Sequence, residues 1–81
     1  MDDVMTTAEQ KEYEQYVVEY LEEAGVVEPT PGTRLVDMDN EKLDYATRQL
    51  KSDFDVSFKL EPSSMTVSSF ARELWRAVKS R

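Results

Sequence analysis

The sequence predicts an all-α fold, a small antiparallel bundle of three to four helices. Three segments repeat apolar residues at helical spacing, and each begins at a residue suited to capping a helix. The only stretch that alternates like a strand has no second strand to pair with. The 81 residues fit one domain. We expect residues 1–6 to form a flexible N-terminus and residues 7–81 to form a single helical domain.

The first helix is predicted from about Thr7 to Ala24. Its apolar residues recur every three or four positions, which places them on one face: Tyr13, Tyr16, Val17, Tyr20, Leu21 and Ala24. The run at residues 7–10 fits a capping box, in which a threonine side chain and a Glu or Gln side chain satisfy the first free amides. Gly25 suits the left-handed residue that ends a helix, and Val26 then folds back onto it.

Residues 26–38 read as a loop because Pro29, Pro31 and Gly32 interrupt any regular element. Two adjacent aliphatic residues, Leu35 and Val36, stand out in this polar stretch. We expect both of them to attach the loop to the core, since a loop of this length without structure of its own is uncommon unless it has a function.

The second helix is predicted from near Asp39 to near Asp53, with Asp37 or Asp39 as its N-cap. Its inner face combines aliphatic and aromatic residues at helical spacing: Leu43, Ala46, Thr47, Leu50 and Phe54. Beyond it, residues 54–58 alternate apolar and polar side chains. We interpret them as an extended turn or a short third helix with its apolar side chains directed inward.

The last helix is predicted from about Thr66 to Lys79, with Thr66 as its cap and Met65 as a hydrophobic staple. Its apolar stripe is the clearest in the chain: Val67, Phe70, Ala71, Leu74, Trp75 and Val78. The opposite, outer face carries three basic residues: Arg72, Arg76 and Lys79.

The charge is unevenly distributed along this chain of net charge −7. Residues 1–30 contain nine acidic residues and a single lysine, whereas residues 31–81 contain eight acidic and nine basic residues. Because an acidic protein is repelled by phosphate backbones, we expect no nucleic-acid binding and a protein partner that has a basic patch.

The composition also argues against several kinds of chemistry. The chain has no cysteine and no histidine, so it lacks disulfides, a thiol nucleophile and the commonest general base and metal ligand. Asp37, Asp39 and Glu41 resemble the start of a calcium-binding loop. However, Lys42 and Arg48 stand where such a loop requires Gly and Glu. We therefore expect no metal site and no enzymatic activity.

The sequence shows no apolar run near the ~20 residues that span a bilayer, and no signal-peptide pattern. A cytoplasmic protein without a membrane span is therefore the default expectation.

The middle of the chain resembles the acyl carrier protein family. The run Pro31–Val36 is similar to that family's long loop, and Leu50 and Phe54 match the Leu and Phe near the end of its second helix. This alignment places Asp39-Asn40-Glu41 on the family's Asp-Ser-Leu triplet. The Thr66-Val67 pair is a further match, and the resemblance extends from the first helix to Val78. It implies a carrier-like helical bundle.

The resemblance implies an altered function because Asn40 stands where the family has its serine. In the family, that serine carries 4′-phosphopantetheine, and a carboxamide is not a nucleophile toward coenzyme A. We therefore expect no cofactor, and an interaction module that docks a biosynthetic-pathway enzyme. By the resemblance, the partner-binding residues are those of the loop end and the second helix: Asp37, Asp39, Asn40, Glu41, Asp44 and Tyr45. Because Lys42, Arg48 and Lys51 add positive charge to this helix, a dedicated partner is expected.

Two alternatives stay open at this point. The chain could be a genuine carrier of fatty-acid, polyketide or nonribosomal-peptide synthesis, with 4′-phosphopantetheine attached at a residue other than the aligned one, or with its attachment serine replaced. It could also be an unrelated helical adaptor whose partner helix lies in a groove between its helices.

Overall fold

The computed structural model describes residues 4–81 and contains three α-helices, joined by loops that each include a short 3₁₀ turn. The helices are α1 (Thr7–Glu23), α2 (Asn40–Phe54) and α3 (Val67–Lys79), and the 3₁₀ turns are Leu35–Asp37 and Pro62–Ser64. The described chain has no β-strand, which confirms the all-α prediction with three helices rather than four. The Cα radius of gyration is 11.8 Å, close to the ~12 Å of a compact chain of this length.

The predicted flexible N-terminus falls partly on residues 1–3, which lie outside the described residues, and it stays a prediction. None of the helices within residues 4–81 combines the length and the apolar character needed to cross a membrane.

α1 begins at a capping box, but one residue earlier than predicted. The Glu9 amide donates to the Thr6 hydroxyl at 3.1 Å, and the Thr6 amide donates to the Glu9 carboxylate at 3.1 Å. The prediction of Thr7 as the cap was therefore wrong. A carboxylate three residues after the cap accepts the cap's amide better than a neutral amide does, and Gln10 instead donates to Ser68 of α3.

The end of α1 confirms the prediction for Gly25, which has φ of 104°. The Val26 amide donates to the Leu21 carbonyl at 2.9 Å and the Gly25 amide donates to the Glu22 carbonyl at 3.0 Å. This pair of bonds is a Schellman motif. Val26 packs against the core, as the sequence indicated.

The core lies between the three helices and includes the loop before α2. Its buried side chains come from α1, from that loop, from α2 and from α3: Val17, Leu21, Leu35, Met38, Leu43, Ala46, Leu50, Val67, Phe70, Ala71, Leu74 and Trp75. The inner faces predicted for α2 and α3 are therefore largely correct. Of the two aliphatic residues expected to anchor the loop, only Leu35 does so: it is 0% exposed, whereas Val36 is 48% exposed.

The same loop is hydrogen-bonded to the start of α3. The amides of Val67 and Ser68 donate to the carbonyls of Thr33 and Pro31, both at 3.0 Å, and the Leu35 amide donates to the Met65 carbonyl at 3.0 Å. The first amides of a helix lack partners inside the helix. Loop carbonyls supply those partners here, and Thr66 caps the helix as predicted.

α1 and α2 run antiparallel, as their side-chain contacts show. The Tyr16 ring packs at a tilt of 57° against the Phe54 ring, near the end of α2, with 5.4 Å between the centroids. Farther along α1, the Tyr20 hydroxyl donates to Asp53, and the carbonyl of Gly25 accepts from Lys42 in the first turn of α2 at 3.1 Å. α3 instead crosses the first half of α1.

Phe54 is the last residue of α2, and residues 55–58 are neither helix nor strand, which supports the extended turn rather than a further helix. The α2 helix ends at Asp55 in the left-handed conformation, with φ of 56°. The Phe58 ring then packs edge-on against Phe70 of α3, with 5.9 Å between centroids.

We predict that Leu35→Ala lowers the free energy of unfolding by about 2–5 kcal/mol, because it empties a filled position in the core. Val36→Ala, the matched control next to it, should change it by less than about 0.5 kcal/mol since that side chain is exposed. Urea denaturation measures the free energy of unfolding of each variant. Equal losses would contradict the assignment of Leu35 as the anchor.

We also predict a loss of stability at alkaline pH. The hydrogen bond to Asp53, together with desolvation, raises the pKa of Tyr20 from 10.0 to about 12. The folded state thus favours the neutral phenol. The stabilisation of the folded state by the neutral Tyr20 side chain is complete below about pH 10 and is lost as the pH rises toward 12. Tyr20→Phe should flatten this part of the stability–pH profile, and a profile that does not change would refute the Tyr20–Asp53 contact.

Candidate functional site

The candidate site is the α2 entry surface, which we define as Val36, Asp37 and Asp39 together with Asn40, Glu41, Asp44 and Tyr45. Buried residues hold its backbone on both sides. Leu35 and Met38 enter the core before α2, and Leu43 enters it one turn into the helix. The Met38 amide also donates to the Leu35 carbonyl at 3.1 Å, which closes the 3₁₀ turn. The surface therefore rests on a fixed backbone.

All six residues predicted to bind a partner are exposed and lie at this end of α2. Four of the six residues lie in α2. The pairs Asn40/Asp44 and Glu41/Tyr45 are each four positions apart and neighbour one another, so the four side chains share one broad side of the helix. Tyr45 is 52% exposed, which agrees with its predicted position off the inner stripe.

Asp39 and not Asp37 is the N-cap of α2. Its carboxylate accepts hydrogen bonds from the amides of Glu41 and Lys42 at 2.8 and 3.3 Å. Two of the four free amides at this helix end are thus satisfied by one side chain. Asp39 therefore has a structural role, and its carboxylate is less available to a partner than that of Asp37.

The basic residues of α2 are bound within the molecule, which the sequence did not reveal. Lys42 reaches back and donates to the Gly25 carbonyl at 3.1 Å, at the negative end of α1. Arg48 forms an ion pair with Asp44. The ammonium of Lys51 lies 5.1 Å from the centre of the Phe58 ring.

These contacts determine which carboxylates of the α2 entry surface are exposed to solvent and belong to no ion pair within residues 4–81. Asp44 is paired with Arg48, although both side chains are exposed and such a pair contributes at most about 1 kcal/mol. Within residues 4–81, Asp37 and Glu41 belong to no ion pair. They are the two carboxylates of the surface that a cationic partner reaches without displacing another side chain.

Val36 adds an apolar element that sequence reasoning assigned to the core. In a 3₁₀ turn successive side chains point about 120° apart, and here Leu35 points into the core while Val36 points away from it. Val36 therefore faces solvent, as does Tyr45 on the first turns of α2. The adjacency of the two aliphatics within a 3₁₀ turn is the signal that could have revealed this.

A shallow open groove of about 380 Å³ borders the same surface. It lies between α2 and the second 3₁₀ turn, with Asn40 and Thr47 on one side and Leu60 and Pro62 on the other. The Thr47 hydroxyl is not free to act here because it donates to the Leu43 carbonyl at 2.7 Å. The groove was also missed by sequence reasoning, since it depends on how residues 60–62 return toward α2.

The surface offers carboxylates, a carboxamide and two exposed apolar side chains. In the part of the chain that the structure describes, no three His, Cys, Asp or Glu side chains come together in a way that could hold a metal ion. The arrangement has the chemistry of a binding surface for a cationic and partly apolar partner.

Comparisons with models of protein families, with curated proteins and with solved structures gave no significant match.

Proposed function

We propose that this chain is an acyl-carrier-protein-like interaction module that docks a biosynthetic enzyme through the α2 entry surface and carries no prosthetic arm. The observation that carries the proposal is the position of Asn40. It is the first residue of α2, exposed, and directly follows the capping Asp39. The sequence resemblance assigns this position to the attachment serine of carrier proteins.

The chemistry of asparagine explains why no arm would be attached. Once its proton is removed, a serine oxygen can attack the pyrophosphate of coenzyme A, which forms a phosphodiester to phosphopantetheine and releases adenosine 3′,5′-bisphosphate. The amide nitrogen of Asn40 shares its lone pair with the carbonyl group and does not act in this way. The domain would therefore keep the surface that binds the enzymes of carrier proteins, while residue 40 would carry no prosthetic group.

The charges of the surface indicate the partner's chemistry. Asp37 and Glu41 offer two carboxylates that belong to no ion pair among residues 4–81, and Val36 and Tyr45 add apolar contact area. A fitting partner presents lysine or arginine around an apolar patch. Opposite charges of this kind steer the encounter and fix the orientation of the complex. Because Lys42 and Lys51 turn toward their own chain, they do not oppose such a partner.

A loading assay tests the assignment of Asn40. Incubated with coenzyme A and a phosphopantetheinyl transferase, the native protein should keep its mass. The variants Asn40→Ser and Asn40→Ser/Glu41→Leu, the second of which restores the full triplet, should gain one phosphopantetheinyl group by intact mass spectrometry.

Asn40→Ala is the matched control and should not gain mass. A gain in the native protein would overturn the proposal that no arm is attached. If the double variant folds, as judged by circular dichroism, but is not loaded, the carrier-like character of the surface is refuted.

A charge reversal tests the docking surface. Proteins retained by the immobilised native chain from its own host should bind Asp37→Lys/Glu41→Lys at least about tenfold more weakly, because two opposite-charge contacts become repulsive. Glu19→Lys/Glu22→Lys, which makes the same change in net charge at exposed positions of α1, should bind normally. Equal binding of both variants would exclude the α2 entry surface as the docking site.

A further inference from the structure

The chain between α2 and the second 3₁₀ turn has the exposure pattern of a β-strand. From Asp55 to Glu61, exposed and half-buried side chains alternate without a break. The half-buried members pack against the core: Val56, Phe58 and Leu60. The exposed members are polar or charged: Asp55, Ser57, Lys59 and Glu61. Residues 56–60 thus run extended along the surface of the bundle, although no second strand lies beside them within residues 4–81.

Contacts at both ends and on the inner side hold this segment in place. At its start the Val56 amide donates to the Lys51 carbonyl at 3.0 Å. At its end the Glu61 amide donates to the sulfur of Met65 at 3.1 Å. Between them, the Phe58 ring packs on α3. The extended conformation therefore exists before any partner binds, which lowers the entropy cost of binding.

The backbone between these two ends is not hydrogen-bonded to the rest of the described chain. Within residues 4–81, the amides of residues 57–60 donate to no acceptor, and their carbonyls accept from no donor. Such groups are stable only where water reaches them. An open cleft of about 420 Å³ borders residues 55–58, and the groove beside Asn40 borders Leu60. Four successive residues thus present unpaired backbone groups next to open space.

The free groups of Ser57 and Lys59 point away from α2. In an extended chain, the N–H and C=O of one residue lie on one edge and those of the next residue on the other. Because the Val56 amide bonds to the last turn of α2, Phe58 and Leu60 direct their groups to that side too. We call the backbone groups of Ser57 and Lys59 the open edge. Its Ser57 borders the cleft between this segment and the end of α3.

We propose that the open edge binds an extended segment of another protein, which adds to residues 56–60 as a β-strand. An extended polypeptide repeats its N–H and C=O groups every two residues, about 6.8 Å, which is the spacing of the groups of Ser57 and Lys59. In this mode of recognition, backbone hydrogen bonds supply affinity and alternate side chains supply specificity. The open edge shares no residue with the α2 entry surface, so this inference does not rest on the proposed function.

The cleft beside the open edge receives side chains of the added strand. Paired strands lie about 4.8 Å apart, so every second side chain of the partner enters the cleft and meets Ala77 of α3. Arg76 and Arg81 also border the cleft, but they are bonded to Glu73 at 3.2 Å and to the Phe54 carbonyl at 2.6 Å. An apolar side chain suits this position, which gives the partner the alternating pattern of a strand.

The charges beside the open edge favour a basic partner over a second copy of this chain. The antiparallel register that joins the open edges of two copies pairs Ser57 with Lys59 twice. It thereby sets Asp55 opposite Glu61 at each end, and like charges directly opposite destabilise a strand pair. The net charge of −7 on each copy adds to the repulsion. A partner segment with lysine or arginine at both ends instead places a base opposite each acid.

Selection of phage-displayed random seven-residue peptides on the immobilised full chain tests the proposal. We expect enriched peptides that alternate apolar and polar residues and carry lysine or arginine near both ends. Ser57→Pro/Lys59→Pro removes both amide hydrogens of the open edge, and proline is compatible with an extended backbone. By isothermal titration calorimetry, a synthetic copy of an enriched peptide should bind this variant at least about tenfold more weakly.

Ser57→Ala/Lys59→Ala is the matched control, because it changes the same side chains but keeps both amides. It should bind the peptide as the native chain does. Asp37→Lys/Glu41→Lys leaves the open edge intact, and it should also keep the peptide bound. Peptides that instead bind at the α2 entry surface lose affinity for that variant, so the two proposals fail separately.

Amide hydrogen exchange followed by NMR is a second measurement, and it decides the matter if the proline variant does not fold. The amides of Ser57 and Lys59 should exchange at least about tenfold more slowly with the peptide bound. Those of Phe58 and Leu60 should change little, because they lie on the other edge of the segment.

The proposal is overturned if no peptide is enriched. It is also overturned if the enriched peptides bind the folded proline variant as tightly as the native chain, or if they leave the exchange of Ser57 and Lys59 unchanged. Slow exchange of these two amides that appears without peptide and grows with protein concentration would assign the open edge to a second copy and refute the partner that we propose.

Discussion

The attachment of the loop before α2 to the start of α3 is the constraint on which the rest of the structure depends. Leu35 enters the core from the centre of this loop, and three backbone hydrogen bonds join residues 31–35 to residues 65–68. The same contacts satisfy the first amides of α3 and fix the direction in which the chain enters α2. Without them, Asp39 would cap a helix of undefined orientation, and the α2 entry surface would have no fixed shape.

The distribution of charge in space differs from its distribution along the chain. By sequence, α2 contains three acidic and three basic residues. In the fold, Lys42 bonds to the end of α1, Arg48 pairs with Asp44, and Lys51 lies near Phe58. Asp37 and Glu41 consequently remain as the carboxylates of this surface that belong to no ion pair within residues 4–81. This arrangement supports the proposed docking of a cationic partner, although α2 contains as many basic as acidic residues.

Much of the fold could be predicted because helix signals are local. The inner faces of α2 and α3 follow from apolar periodicity, and Gly25 and Thr66 were identified from end signals alone. The N-cap of α1 was predicted one residue too late, although the helix starts at Thr7 as expected, because two adjacent threonines both fit a capping box. Only the partner of Glu9 decided between them.

The features that were missed depend on contacts distant in sequence. Val36 faces solvent because the 3₁₀ turn directs Leu35 inward, and the groove beside Asn40 exists because residues 60–62 return to α2. The partners of Lys42 and Lys51 likewise lie on other segments. The candidate site consists of exposed residues, as helical phase indicates for those in α2, and that it binds a partner stays a prediction. Its charge balance could not be predicted, since that depends on which side chains meet in the fold.

Hydrogen exchange of individual amides, followed by NMR, tests the central role of the loop attachment most directly. The amides of Leu35, Val67 and Ser68 should exchange as slowly as those of the buried positions in α2, because they open only when the whole domain unfolds. If they exchange at the rate of exposed loop amides while the α2 core stays protected, the loop does not fix the entry into α2, and the account of the site is wrong.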